Sequence, residues 1–207
     1  VPLFYQQNIN HTTQLAIWKI EEPVAFFLQK VTLQSTIHHP HKVLQHLAGR
    51  YLLQLLFPDF PYDELMIADS KKPYLPNEQY HFSITHCGNY AAAIASKEER
   101  VGIDIEIPTQ RVLKVVNKFL NEEEQKIFPL AVTNIKLATL LWCAKEAMFK
   151  WWSWGGVDFK KMLMIDYFEM KQKGGFSATI MYEQEISLTI QYKFFEEVCL
   201  CYTSQKN

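Results

Sequence analysis

RVGIDIEIP, residues 100–108, alternates Ile103, Ile105 and Ile107 with Asp104 and Glu106 and breaks at Pro108. Successive side chains of a strand point to opposite faces, so this period-two pattern predicts a half-buried strand with isoleucines on one face and two carboxylates on the other. At ~3.3 Å per residue the two acidic Cα atoms lie ~6.6 Å apart, and both carboxylates can converge on one hard cation. An ordinary strand with a wet acidic face has the same pattern, and for the pair alone that is the favoured reading.

Downstream, TQRVLKVVNKFLNEEEQKIF (109–128) predicts a helix with Val112, Val115, Val116, Phe119 and Leu120 on one face. A second long helix is predicted from about Asn134 to Trp152, with Gly155-Gly156 as its stop. At 100° per residue its Leu137, Leu140, Leu141, Ala144, Ala147 and Met148 crowd one side, while Trp142, Glu146 and Lys150 run down the other. Glu146 and Lys150 could form a plain helical ion pair, worth only ~0.2 to 0.5 kcal/mol. Trp142 and Phe149 flank them, however, and a carboxylate walled by aromatics is better explained by a cation or substrate than by bulk water. ISLTIQYKF and EVCLCYT close the chain as an antiparallel hairpin.

Upstream, HKVLQHLAGRYLLQLLF (41–57) places a leucine-rich stripe at helical spacing with Arg50 off it, and Pro58 stops it. A loop, DSKKPYLPNEQ, leads to HFSITHCGNYAAAIAS, which reads as a hairpin turning at Gly88-Asn89 or as a strand followed by a short helix. The HHPHK tract, held extended by Pro40 with no acid adjacent, reads as solvated histidines. His86 differs, because the small-residue turn beside it leaves room for a ligand. The mixed order of elements predicts an α+β fold.

The 207 residues, 48% of them apolar, suffice for a full core, burying roughly 70% of the unfolded surface. Twenty-one basic against 22 acidic residues give a formal charge of −1, so no global field draws the chain to nucleic acid or an anionic membrane. Cys87, Cys143, Cys199 and Cys201 lack C-x-x-C spacing and read as free thiols, with Cys199 and Cys201 a packed pair on one face of a strand. The amino-terminal VPLFYQQNIN lacks a basic segment followed by an apolar run, and no stretch of ~18 apolar residues occurs, so the expectation is a cytoplasmic chain without signal peptide or span.

Taken together, these residues resemble the 4′-phosphopantetheinyl transferase superfamily in its larger, two-half, Sfp-like form. Four motifs stand in the family's order: GR-x-LL (Gly49, Arg50, Leu52, Leu53); KP with a following S-x-[ST]-H (Lys72, Pro73, Ser83, Thr85, His86); GIDIE (Gly102 to Glu106); and W-x-x-KE-x-x-x-K (Trp142, Lys145, Glu146, Lys150). KFLNEEE is similar to the family segment ending in an acid, here Glu124. The match runs over about residues 38 to 160, and the last two motifs are the specific ones. Thr85-His86-Cys87 departs from the common Ser-His-Ser, and Gly155-Gly156 stands where G-x-G is expected.

The resemblance implies two similar α/β halves in pseudo-twofold arrangement, 1–103 and 104–207, with coenzyme A in the cleft between them. It implies transfer of 4′-phosphopantetheine from coenzyme A to a serine of an acyl or peptidyl carrier protein, with release of 3′,5′-ADP, as in a holo-[acyl-carrier-protein] synthase. Asp104, Glu106 and Glu146 would be Mg²⁺ ligands, Lys150 would stabilise the leaving phosphate, and Glu146 or Glu124 would take the serine proton. Arg50, Lys72, Pro73 and His86, with Lys42, would hold the 3′-phosphate and adenosine end. Arg111, Lys114 and Lys118, at helical spacing, would form a basic stripe for an acidic carrier. The chain is expected to be a monomer. A coenzyme A-binding module without transfer activity and a magnesium-dependent pyrophosphate hydrolase are the competing readings of the same acids.

Overall fold

The structure, a computed structural model, describes residues 3–33, 37–68 and 72–206. The first residues of the DSKKPYLPNEQ loop therefore lie outside the described residues. The chain is mixed α/β with several sheets and forms two compact units: one runs through Val101 and takes back Lys206, and the other is Gly102–Gln205. No helix among the described residues is long and apolar enough to cross a membrane.

The first unit comprises β1 (Leu3–Asn8), β2 (Thr13–Lys19), α1 (Val24–Leu28), α2 (Pro40–Leu56), β3 (Met66–Ile67), β4 (Pro73–Tyr74), β5 (His81–Cys87) and β6 (Tyr90–Ser96). Its main sheet is antiparallel with order β1-β2-β6-β5. β5 and β6 pair from His81↔Ser96 to Cys87↔Tyr90, which makes this region a hairpin. Gly88, at φ 53°, supplies the left-handed turn conformation. Along β6 the small Ala91, Ala93 and Ala95 share a core with Leu47, Ala48 and Leu52 of α2. The helix also approaches β5 closely: a Cβ on Gly49 would lie 2.5 Å from Cγ2 of Ile84. Pro40 opens α2 instead of holding an extended tract, because its fixed φ suits the first helical turn.

The second unit carries most of β7 (Arg100–Glu106), then α3 (Val116–Phe119), α4 (Glu122–Ile127), α5 (Ile135–Trp152), β8 (Leu163–Ile165), β9 (Lys173–Met181), β10 (Glu185–Phe194) and β11 (Cys199–Gln205). The sheet order is β7-β11-β10-β9-β8, and the β8–β9, β9–β10 and β10–β11 pairs are antiparallel. One face of β9 and β10, including Phe176, Ala178, Ile180, Leu188 and Ile190, packs in a core with Leu140, Leu141, Ala144 and Met148 of α5. Asn134 caps α5 by accepting from the Leu137 amide at 3.1 Å.

Four sequence expectations fail here, in whole or in part. β7 is not half-buried: Val101 to Ile105 are all buried, so Asp104 does not lie on a wet face. The helix expected over 109–128 is instead a 3₁₀ turn, Val112–Val115, followed by the short α3 and α4. Asn121 is responsible for the break. Its side chain caps the Glu124 amide while the Glu124 carboxylate accepts from the Asn121 amide, a capping box that starts a new helix after the extended Leu120. Arg111, Lys114 and Lys118 are all exposed but do not share one continuous helix, so the helical spacing behind the basic stripe is lost. Finally, α5 ends at Trp152 as expected, but its left-handed cap is Ser153 (φ 70°) and not Gly155-Gly156, with the Ser153 hydroxyl donating to the carbonyls of Lys150 and Trp151.

Candidate active site

Gly102 brings the acidic strand against the long helix. A Cβ at this position would lie 2.1 Å from the Ala147 carbonyl oxygen and 2.8 Å from the Trp151 amide, so the β7 backbone rests on the backbone of α5. Two residues later Asp104, 3% exposed, accepts from Lys150 Nζ at 2.6 Å. After two more, Glu106 Oε1 accepts from Trp142 Nε1 at 3.1 Å. Trp142, Glu146 and Lys150 occupy successive turns of one helix face, so Glu146 lies a turn from each anchor. Its carboxyl is pushed up to about 7, first by burial and then by the charges of Asp104 and Glu106, with Lys150 opposing them. For Lys150, burial acts to lower the pKa, but the charge and hydrogen bond of Asp104, with Glu146, raise it overall.

These three carboxylates are neighbours without forming a closed cage. Among the described residues, the one group of three or more potential ligand atoms all within 4.8 Å of one another is a set of thiols, Cys143, Cys199 and Cys201.

Glu124 occupies a different place. One carboxylate oxygen, Oε2, accepts from Lys145 Nζ at 2.6 Å and from the Asn121 amide at 3.0 Å; the other accepts from the Ile165 amide at 3.1 Å. Lys145, fully buried, also donates to the carbonyls of Phe119 at 2.7 Å and Phe159 at 2.9 Å. Burial pulls the Lys145 ammonium down to about 8 against the opposing pull of Glu124. This cluster ties the α4 entrance, β8 and α5 together. The adjacent residues Lys145 and Glu146 thus do different work, one inside the core and one toward the acids of β7.

In the first unit, Arg50 is 6% exposed, and among the described residues no carboxylate lies within ion-pairing distance of it. Its Nη1 lies 3.1 Å from Nδ1 of His46, and its Nε has no hydrogen-bond partner. Burial lowers the guanidinium pKa. His46 falls to about 4 through burial and the charges of Arg50 and His86, which places the exposed His86 beside the pair. His46 Nδ1 therefore accepts from Arg50, and the proton sits on Nε2. Lys72, just ahead of Pro73 in β4, acts with Arg100 on His81, whereas Lys42 is exposed in the first turn of α2. His46 was missed from sequence. Its place one helical turn before Arg50, in HLAGR, is the signal that could have found it.

A family model described as the 4′-phosphopantetheinyl transferase superfamily matches residues 100–203. The chain belongs to that superfamily. The matched span holds Asp104, Glu106, Glu124, Lys145, Glu146 and Lys150, while Arg50, Lys72 and His86 precede it. Among curated relatives, "Enterobactin synthase component D" of Escherichia coli is 32% identical over 111 residues, covering 51% of this chain and 52% of that protein. A Haemophilus influenzae protein named "Putative 4'-phosphopantetheinyl transferase" is 31% identical over 110 residues, covering 51% of this chain and 46% of its own length. The chain spans about half the length of the curated relatives it matches.

Proposed function

We propose that this member of the superfamily transfers 4′-phosphopantetheine from coenzyme A to a serine hydroxyl of a carrier protein, releasing 3′,5′-ADP. The observation that carries the reading is the meeting of Asp104 and Glu106 from β7 with Glu146 and Lys150 from α5, with Glu146 held near neutral pH. Each unit also sets one long helix, α2 or α5, against a sheet, which supports reading them as related halves.

Asp104, Glu106 and Glu146 would hold Mg²⁺. The donor set fits: burial and the charges of Asp104 and Glu106 raise the proton affinity of Glu146, and magnesium accepts a few acids while keeping waters, without needing a protein cage. When bound, the ion supplies positive charge against the diphosphate of coenzyme A. At about 7 the Glu146 carboxyl exchanges its proton near neutral pH, so its ionised form is populated there.

In that form Glu146 serves as base. Its carboxylate takes the proton of the carrier serine as the hydroxyl oxygen attacks the phosphorus that bears the pantetheine arm. The bond from that phosphorus to the oxygen leaving with 3′,5′-ADP breaks, and Lys150, fixed by Asp104, neutralises the charge developing on that oxygen. Glu124 is too fully engaged with donors to act as this base. Arg50, with His46 and His86 beside it and Lys72 in addition, would hold the 3′-phosphate; a buried guanidinium without a carboxylate partner is well matched to an anion that brings its own charge.

Intact-mass analysis of an apo carrier protein after incubation with the chain, coenzyme A and Mg²⁺ tests this directly. A mass gain of one phosphopantetheine, absent with chelator, is the expected result. Release of 3′,5′-ADP without change in the carrier would replace transfer with hydrolysis.

A further inference from the structure

The three buried thiols, on α5 and β11, are side chains the transfer chemistry does not use. Cys199 and Cys201, two apart on β11, face the same way, and Cys143 of α5 meets them, so the three Sγ atoms all lie within 4.8 Å of one another. All three residues are 0% exposed. Their hydrogen bonds are long: Cys143 Sγ donates to the Cys199 carbonyl at 3.7 Å and Cys201 Sγ to the Leu140 carbonyl at 3.8 Å. Thiols are weak donors, so little is lost when these contacts are exchanged for bonds to an ion.

We propose that Cys143, Cys199 and Cys201 form a binding site for a trivalent thiophilic metalloid of the arsenite class, held as a neutral tris-thiolate that pins α5 to β11. Sulfurs bonded to one ion at ~2.3 Å stand up to ~4 Å apart, so small side-chain rotations bring this set to bonding distance. Zinc fits poorly, because it takes four ligands and, among the described residues, no histidine or carboxylate completes the group. Charge decides among the remaining soft ions. Three thiolates around a monovalent or divalent cation leave net negative charge in an apolar core, which is costly. The charge of Asp104 also reaches all three sulfurs and adds to that cost. Arsenite avoids both penalties. As(OH)₃ and three thiols form three As–S bonds and break three As–O and three S–H bonds; each released hydroxide takes one thiol proton, three waters leave and no electron changes hands.

The test uses the full reduced chain with arsenite. Native mass spectrometry is expected to show one arsenic bound with loss of three protons, and X-ray absorption three sulfur neighbours. Cys143→Ala and Cys201→Ala should each abolish this species while Cys87→Ala keeps it, thermal unfolding confirming that each variant is folded. No uptake by the folded parent, fewer than three sulfur neighbours, or uptake that depends on Cys87 overturns the site. Because the absorption spectrum is recorded on the parent chain, the result does not depend on the variants folding.

Discussion

Glu146 makes the acidic site measurable through stability in the absence of any substrate. In the folded chain its carboxyl holds a proton up to about pH 7, against an ordinary value of 4.5 when exposed in the unfolded chain. Between those values the folded state binds more protons than the unfolded state, so stability falls as pH rises; the contribution is fully present below 4.5 and lost above about 7. At ~1.36 kcal/mol for each pH unit between the two values, the loss amounts to at most about 3 kcal/mol, and solvent screening at this half-buried position trims it. Glu146→Gln keeps the shape and removes the titration. Urea unfolding of parent and variant, with chelator present, should therefore give a stability difference that moves in favour of the variant by up to ~3 kcal/mol between pH 4.5 and pH 8. Comparing the two proteins at each pH cancels every group they share. Mg²⁺ should then restore stability to the parent more at pH 8 than at pH 5, and do little for the variant. A parent-variant difference independent of pH would refute the claim that Asp104, Glu106 and burial together hold this proton.

Glu146→Gln should also lower turnover with carrier protein by roughly 10²-fold, the usual cost of one lost transition-state contact, measured by carrier mass under single-turnover conditions. Glu124→Ala should act differently: it leaves Lys145 charged and unpaired in the core, costing about 3 to 5 kcal/mol in chemical denaturation, while the fraction still folded turns over near the parental rate. Gly102→Ala forces a methyl group against the α5 backbone at Ala147 O and Trp151 N. Overpacking costs ~1 to 3 kcal/mol, and with rigid backbone as the obstacle the upper end is expected; an unchanged denaturation midpoint would show that β7 does not rest on α5. Arg50→Met should weaken coenzyme A roughly ten- to hundredfold and leave the 3′-dephospho analogue nearly unaffected, so equal losses for both would remove Arg50 from the 3′-phosphate.

What could be read from sequence was whatever depends on a single element's periodicity. The face of α5 that carries Trp142, Glu146 and Lys150 followed from 3.6-residue spacing, and all three are half-buried on a helix whose other side is packed into its core. The alternation in β7 told which side Asp104 and Glu106 share but not that both faces are covered, since covering is done by residues distant in sequence. Local capping defeated periodicity over 109–128, where one asparagine side chain outweighs a well-spaced valine stripe and starts a new helix. The two candidate bases show the limit most clearly. Glu124 and Glu146 are the same residue type, each near aromatics and a lysine, and nothing in their spacing separates them. Only the fold surrounds one carboxylate with three donors and the other with two further acids. The oxygens of Glu124 are occupied by donors from three elements, whereas Glu146, buried and pressed by like charges, sits poised to exchange a proton near neutral pH. The same reasoning separates Cys199 and Cys201 as a pair from the triad they form with Cys143: strand period predicts the pair, and only tertiary packing delivers the third sulfur.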